Sequence, residues 1–237
     1  MRWYALFLTA VVLLGCNEPL SFDQAMKLYN QKGYASAVTA LSLLAEGGDY
    51  RAQLVLGQHF LQADSKDGAK SARYFKMAVD QGDIDALYFL GRAYLNGEGV
   101  PQNPIMGEEY LVRAGNAGSK AALVALGMRY SMMMNSSGSA EHGKKALVLF
   151  QNAFLYGDRA AAVLISSIYT GGPLNNRYLS AVWNAVYQMT ETKPSDIDPF
   201  RYLTPNEKNS ANLEALAIYS KFGSKQAPKT YLGVSGA

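Results

Sequence analysis

Few side chains in this chain are equipped for catalysis or metal binding, and their spacing argues against both. Cys16 is the only cysteine of the 237 residues, and His59 and His142 are the only histidines. Neither histidine stands in a His-x3-His spacing or near a cysteine, so no metal and no cofactor is expected. His59, just before Phe60 in a helical pattern, reads as a helix-surface or interhelical residue, and His142, in Glu141-His142-Gly143-Lys144-Lys145, as a solvated one. No Gly-x-Ser-x-Gly elbow and no complete Gly-x4-Gly-Lys-Ser/Thr phosphate loop occurs. Gly97-Glu98-Gly99 follows a helical pattern instead of a strand, which predicts a tight turn and not a nucleotide loop. An enzyme acting on cell-wall material would have to draw on Glu98, Glu108, Asp158 and Asp196, which are scattered over separate loops and helices. Glu108 and Glu109 are adjacent, but neighbours on a helix point about 100° apart and cannot share a substrate. The expectation is a protein that is not an enzyme, in which the unpaired thiol of Cys16 is the group with chemistry to do.

The elements that would carry these residues follow from a recurring phrase, Gly-x3-Ala-x3-Leu-Gly-x2-Tyr. It is clearest at Gly82, Ala86, Leu90, Gly91 and Tyr94. It returns at Gly48, Ala52, Leu56, Gly57 and Phe60, at Gly118, Ala122, Leu126, Gly127 and Tyr130, and in worn form at Gly157, Ala161, Ile165, Ser166 and Tyr169. Steps of 34, 36 and 39 residues between the alanines are those of stacked helix pairs. Residues four apart share a helix face, so Ala86, Leu90 and Tyr94 form a stripe, widened by Phe89 and Ala93, that must be buried on a second helix. That second helix has its own pattern: Tyr74, Ala78 and Gly82; Tyr110, Ala114 and Gly118; Leu149, Ala153 and Gly157. The small alanines predict close helix approach, and the terminal glycines predict left-handed stops, followed at Asp49, Asp83 and Asp158 by carboxylates suited to starting the next helix.

Residues 21–50 predict an N-terminal helix pair, with Phe22, Ala25, Met26 and Tyr29 on one face and Ala37, Ala40, Leu41 and Leu44 on the other. The stretch 131–139, with Met132 to Met134, is read either as an adaptable contact surface or as a helical extension that fills the core. Beyond Tyr169 a helix is expected around Ala181, Trp183, Ala185, Val186 and Met189, then a break at 193–199 with its two prolines. Thr204-Pro205-Asn206-Glu207 opens a last helix carrying Ala211, Leu213, Ala215, Leu216 and Tyr219. From 221 onward Gly, Ser, Lys and Pro predict a flexible tail to 237.

The segment Ala86 to Gly118, with its loop Tyr94-Leu95-Asn96-Gly97-Glu98-Gly99-Val100, resembles the Sel1-like repeat family, a relative of the tetratricopeptide repeats. The resemblance extends more loosely to units beginning at Ala52, Ala122 and Ala161, and Asn103 stands where an Asp is usual. It implies an all-α fold, a right-handed α-solenoid of stacked helix pairs over 21–220 with a C-terminal capping helix.

Arg2 precedes an uncharged run, Trp3 to Leu14, too short to span a bilayer and suited to an export signal. Leu13-Leu14-Gly15-Cys16 resembles a bacterial lipobox, which implies a signal peptide at 1–15, lipidation of Cys16 and a linker at 16–20; an ordinary secretory signal is the alternative. Two or more acyl chains anchor firmly where one does not. Asn17, in place of the Asp that marks inner-membrane retention in enteric bacteria, implies an outer-membrane lipoprotein facing the periplasm, with a Gram-positive surface as the other address. A net charge of +3 without a Lys/Arg cluster gives no footprint for nucleic acid. With 17% charged and 49% hydrophobic residues, the chain has the composition of a folded domain.

What remains for function is a surface that binds a protein partner. Two and six residues after each repeat alanine, Leu54 and Gln58, Tyr88 and Arg92, and Val124 and Met128 turn away from the buried stripe. They either line the inner curve of the stack, where Tyr88 and Arg92 make the best anchors, or, for Leu54, Tyr88 and Val124, pack against the adjacent unit. Periplasmic lipoproteins resembling this chain imply an immunity protein that neutralises a phospholipase effector of type VI secretion, or a scaffold for envelope or polysaccharide-secretion assemblies.

Overall fold

The computed structural model describes residues 20–62, 66–190 and 198–222, among which there are eleven α-helices and no strand. The leader with Cys16, the stretch 191–197 with Asp196, and residues 223–237 of the expected tail lie outside them. None of the described helices is long and apolar enough to cross a membrane. The chain divides into two units, residues 1–86 and 87–237.

The first unit holds α1 (Phe22–Lys32), α2 (Tyr34–Glu46), α3 (Tyr50–His59) and α4 (Gly68–Asp80), and it ends within α5 (Ile84–Asn96). Ser21 starts α1 with a reciprocal cap: its Oγ accepts from Gln24 N at 3.3 Å and its own N–H donates to Gln24 Oε1 at 2.8 Å. Ala25, Ala37, Leu41, Ala45, Ala52 and Leu56 are fully buried, with Phe22, Met26, Tyr29, Ala40 and Leu44 packed around them, so the predicted N-terminal pair is present. Gln53, also buried, donates from Nε2 to Ala45 O at 2.9 Å and ties α3 to the end of α2.

In the second unit, α6 (Pro104–Asn116) and α7 (Lys120–Ser137) follow α5, then α8 (Ala140–Leu155), α9 (Ala161–Thr170), a 3-10 turn (Gly172–Leu174), α10 (Arg177–Thr190) and α11 (Pro205–Phe222). The terminal glycines of the phrase all take the left-handed conformation, with φ of 94°, 86°, 94° and 87° at Gly48, Gly82, Gly118 and Gly157. The residue after three of them caps the next helix: Asp49 accepts from Ala52 N, Asp83 from Ala86 N and Ser119 from Ala122 N, whereas Asp158 accepts from Ala160 N in the turn ahead of α9, whose start has no side-chain cap. Asn103, in the position where Asp is usual, performs the same task for α6 by accepting from Met106 N at 3.1 Å. Thr204 and Glu207 form the expected box at α11.

Close helix contacts run through the glycines inside the phrase, to which sequence periodicity assigned no role. An ideal Cβ on Gly57 would meet the Phe75 ring at 2.6 Å, one on Gly127 the Phe150 ring at 2.5 Å, and one on Gly91 the Leu111 side chain at 2.9 Å. Phe75, Leu111 and Phe150 each stand three residues before the repeating alanine of the second helix and are fully buried or nearly so. In the worn unit Ser166 replaces the glycine, and its Oγ donates to Ser180 O at 3.0 Å, so the added atoms are absorbed as a buried hydrogen bond.

Three expectations change. The buried face of each first helix includes the residue after the alanine, as at Leu87, Leu123 and Ala162, while Phe89 and Tyr94 are only half-buried. α7 packs on both α6 and α8, so its buried arc has two flanks where a single stripe would have one. Of the two readings of 131–139 the helical extension holds: residues 131–137 continue α7, and Met134 fills the core, its Sδ where a Cβ on Gly143 would go, while Met132 is 71% exposed. On α11 only Ala211 and Ala215 are buried; Leu213, Leu216 and Tyr219, expected on the packed face, are exposed. α11 packs against α10 alone among the described helices with substantial contact, and two alanines suffice for one close neighbour.

Candidate functional site

The six residues singled out by register fall into two groups. In the first unit Leu54 and Gln58 are both half-buried on α3. In the second, Tyr88 and Val124 are half-buried, whereas Arg92 and Met128, one turn on, are exposed. Arg92 lies over Tyr88, its Cζ 5.7 Å from the ring centroid and Nη1 3.4 Å from the phenol oxygen, so guanidinium and ring are presented together. On α7 the series runs one turn further than register alone indicated, to Met132. The equivalent position on α9 is Val163, 39% exposed, which sequence reading passed over because its unit keeps so little of the phrase.

Val163 also borders a cleft of about 600 Å³, formed by α9, α10 and residues 198–202. Its walls combine phenols (Tyr169, Tyr187, Tyr202), amides (Asn175, Asn184, Gln188) and the guanidinium groups of Arg177 and Arg201. Burial pushes the Tyr169 phenol up, so it is neutral across the physiological range. Asp198 is the cleft's one carboxylate among the lining residues; a 2.9 Å bond from Lys208 Nζ holds it below the usual carboxylate range.

The residues that could have done other chemistry are engaged in structure. Glu108 accepts from Arg129 Nε at 2.6 Å, Glu98 from Asn96 Nδ2 at 3.1 Å, and Asp158 from Ala160 N at 3.1 Å in the turn before α9. Among the described residues no group of three or more His, Cys, Asp and Glu could hold a metal ion. Gly97 and Gly99 both have positive φ in a tight turn closed by Asn103 N donating to Tyr94 O. Gly138-x4-Gly143-Lys144 has the spacing of a phosphate loop, but it follows a helix, and Gly143 is buried within α8 under Met134. His142 is half-buried instead of solvated, 3.2 Å from Ser137 Oγ and tilted against Tyr130.

His59 is interhelical, stacked on Tyr34 of α2 with centroids 3.5 Å apart and edge-on to Tyr29 of α1. Burial lowers its pKa below the ordinary value of 6.5. A histidine whose folded-state pKa is depressed contributes stability that is fully present above its unfolded pKa and is lost as pH falls from about 6.5 through the lowered folded-state value. The urea midpoint of the wild type should therefore drop between pH 7.5 and 5.5 by more than that of His59→Phe, which keeps the stack and removes the proton. Equal drops in both proteins would assign the pH dependence elsewhere.

Comparisons with known proteins agree with this architecture. The Sel1 repeat family model matches residues 51–83 and 84–119, the spans of α3 with α4 and of α5 with α6. Among solved structures, a Sel1 repeat protein from Oxalobacter formigenes is similar at 19% identity over 84% of each chain, with a TM-score of 0.57. A protective antigen of uropathogenic Escherichia coli strains displaying an SLR fold is 20% identical over 88% of this chain and 57% of that one, with a TM-score of 0.43. No curated protein matches the chain. Residues 51–119 thus form two Sel1 repeats, each coinciding with a helix pair, and the chain shares the fold of the Oxalobacter formigenes Sel1 repeat protein over most of its length.

Proposed function

We propose that this protein is a non-catalytic binding module that holds a protein partner on the exposed positions of its first helices, tethered to the outer membrane by acyl chains on Cys16 and facing the periplasm. The observation that carries the reading is the recurrence of exposed or half-exposed large side chains at one register: Tyr88 and Arg92, Val124, Met128 and Met132, and Val163. Exposed methionines are adaptable apolar contacts, and an arginine over a tyrosine is the pairing that binding hot spots favour. Leu54 and Gln58 hold the same register in the first unit.

The partner we favour is a phospholipase effector of type VI secretion, with this chain as its immunity protein. An inhibitor needs one tight interface in the compartment where the toxin acts, and a lipid anchor would keep it there. The test is co-purification of the full chain from detergent extracts, with Arg92→Glu and Met128→Glu as separate variants. Each is expected to reduce the captured partner about tenfold or more, as substitutions at hot spots do. A partner retained at its original level by both variants would remove this face from consideration, and capture of a polysaccharide-secretion component would replace immunity with scaffolding. The anchor is tested by mass spectrometry of the mature N-terminus, expected at an acylated Cys16, and by Cys16→Ser, expected to leave the protein unacylated.

A further inference from the structure

Beyond the helix faces, the second unit contains the cleft that Val163 borders, and its lining has a definite chemical preference. Its carboxylate, Asp198, is already neutralised by Lys208 at 2.9 Å. Arg177 has Glu207 as its nearest carboxylate, at 3.9 Å and beyond hydrogen-bonding distance, and Glu207 Oε2 already accepts from both Thr204 N and Thr204 Oγ1 at 2.8 Å. Arg201 lies against the ring of Tyr202, its Cζ 4.6 Å from the centroid, which fixes the guanidinium plane and leaves its N–H edges to donate. Among the described residues neither guanidinium has a carboxylate side chain at hydrogen-bonding distance, though Arg177 acts electrostatically on Glu207 and Arg201 on Asp198; their planar forks match an added carboxylate.

The other walls select the scaffold on which that carboxylate arrives. Asn175 and Asn184 each carry a donor and an acceptor, the combination an extended backbone presents at each residue. A volume of about 600 Å³ is that of a ligand site for a few residues and not for a folded domain. Val163 belongs both to the cleft and to the exposed register.

We propose that the cleft receives an acidic, extended segment of the protein partner, with an Asp or Glu carboxylate engaging Arg177 and Arg201. This rests on the partner-binding reading above and adds to it the chemistry of what is bound. The test uses the full chain in detergent and a positional-scanning library of end-blocked hexapeptides, read by fluorescence anisotropy, with tetragalacturonate as an acidic saccharide probe. At one or more positions Asp and Glu should bind at least tenfold better than Asn and Gln, and the selected peptide should lose about tenfold in affinity with Arg177→Gln and with Arg201→Gln. Both arginines are exposed, so these variants should keep the wild-type helical spectrum. The proposal is overturned if the library shows no acidic preference, if the preference survives both substitutions, or if tetragalacturonate binds in an arginine-dependent way and acidic peptides do not. If the library fails while Met128→Glu still abolishes partner capture, the binding function stands without an acidic segment; if both fail, both readings fall.

Discussion

Gly107→Ala is expected to destabilise the second unit by about 2 kcal/mol, within the range of overpacked cores. A Cβ built there would lie 2.7 Å from Leu95 Cδ2 and 2.9 Å from the backbone oxygen of Gly91. A side chain can turn aside from such a contact, but the backbone of α5 cannot without moving the helix. Gly91→Ala meets the same crossing from the other side, 3.0 Å from Gly107 O and 2.9 Å from Leu111 Cγ. Urea unfolding followed by circular dichroism should show lower midpoints for both. Gly82→Ala, with nothing within 4 Å but a φ of 86°, separates steric crowding from backbone strain. A Gly107→Ala protein as stable as the wild type would mean that α5 and α6 do not approach as closely as described.

The second large effect lies where α7 crosses α8. Phe150→Ala should cost about 3–5 kcal/mol, since the ring is 1% exposed and its removal leaves a cavity. Gly127→Ala should cost about 1–3 kcal/mol alone, because its Cβ would sit 2.5 Å from that ring. In the double variant the new methyl occupies space the ring has vacated, so the two losses should fall short of additivity by about 1 kcal/mol or more, the coupling found between contacting residues. Additive losses would show that Gly127 matters for something other than its contact with Phe150.

These effects mark the boundary between what was legible in the chain and what was not. Helix starts and stops were legible because their causes are local. A threonine followed by Pro205 and Glu207, or a glycine followed by Asp49 or Asp83, determines its own geometry within a few residues. The repeat was legible because one packing problem solved several times leaves the same residues at the same interval, and two of those copies match the Sel1 repeat. The exposed register was legible in part: Arg92 and Met128 stand clear, but Met132 and Val163 extend the series only once α7 is seen to continue through 131–137 and α9 to keep its phase.

Sequence alone determined that the chain is built of helix pairs, where most of them begin and end, and that the recurring alanines face inward. Only the tertiary structure decided what the glycines inside the phrase are for, because a helix-to-helix distance belongs to two segments at once and to neither pattern separately. The same holds for the cleft. Arg177 and Arg201 stand on opposite sides of the break after α10, and no periodicity links them; packing of α9, α10 and residues 198–202 places both in the lining of one cleft. Local free energies write themselves into adjacent residues, whereas a site assembled across elements exists only after those elements have packed.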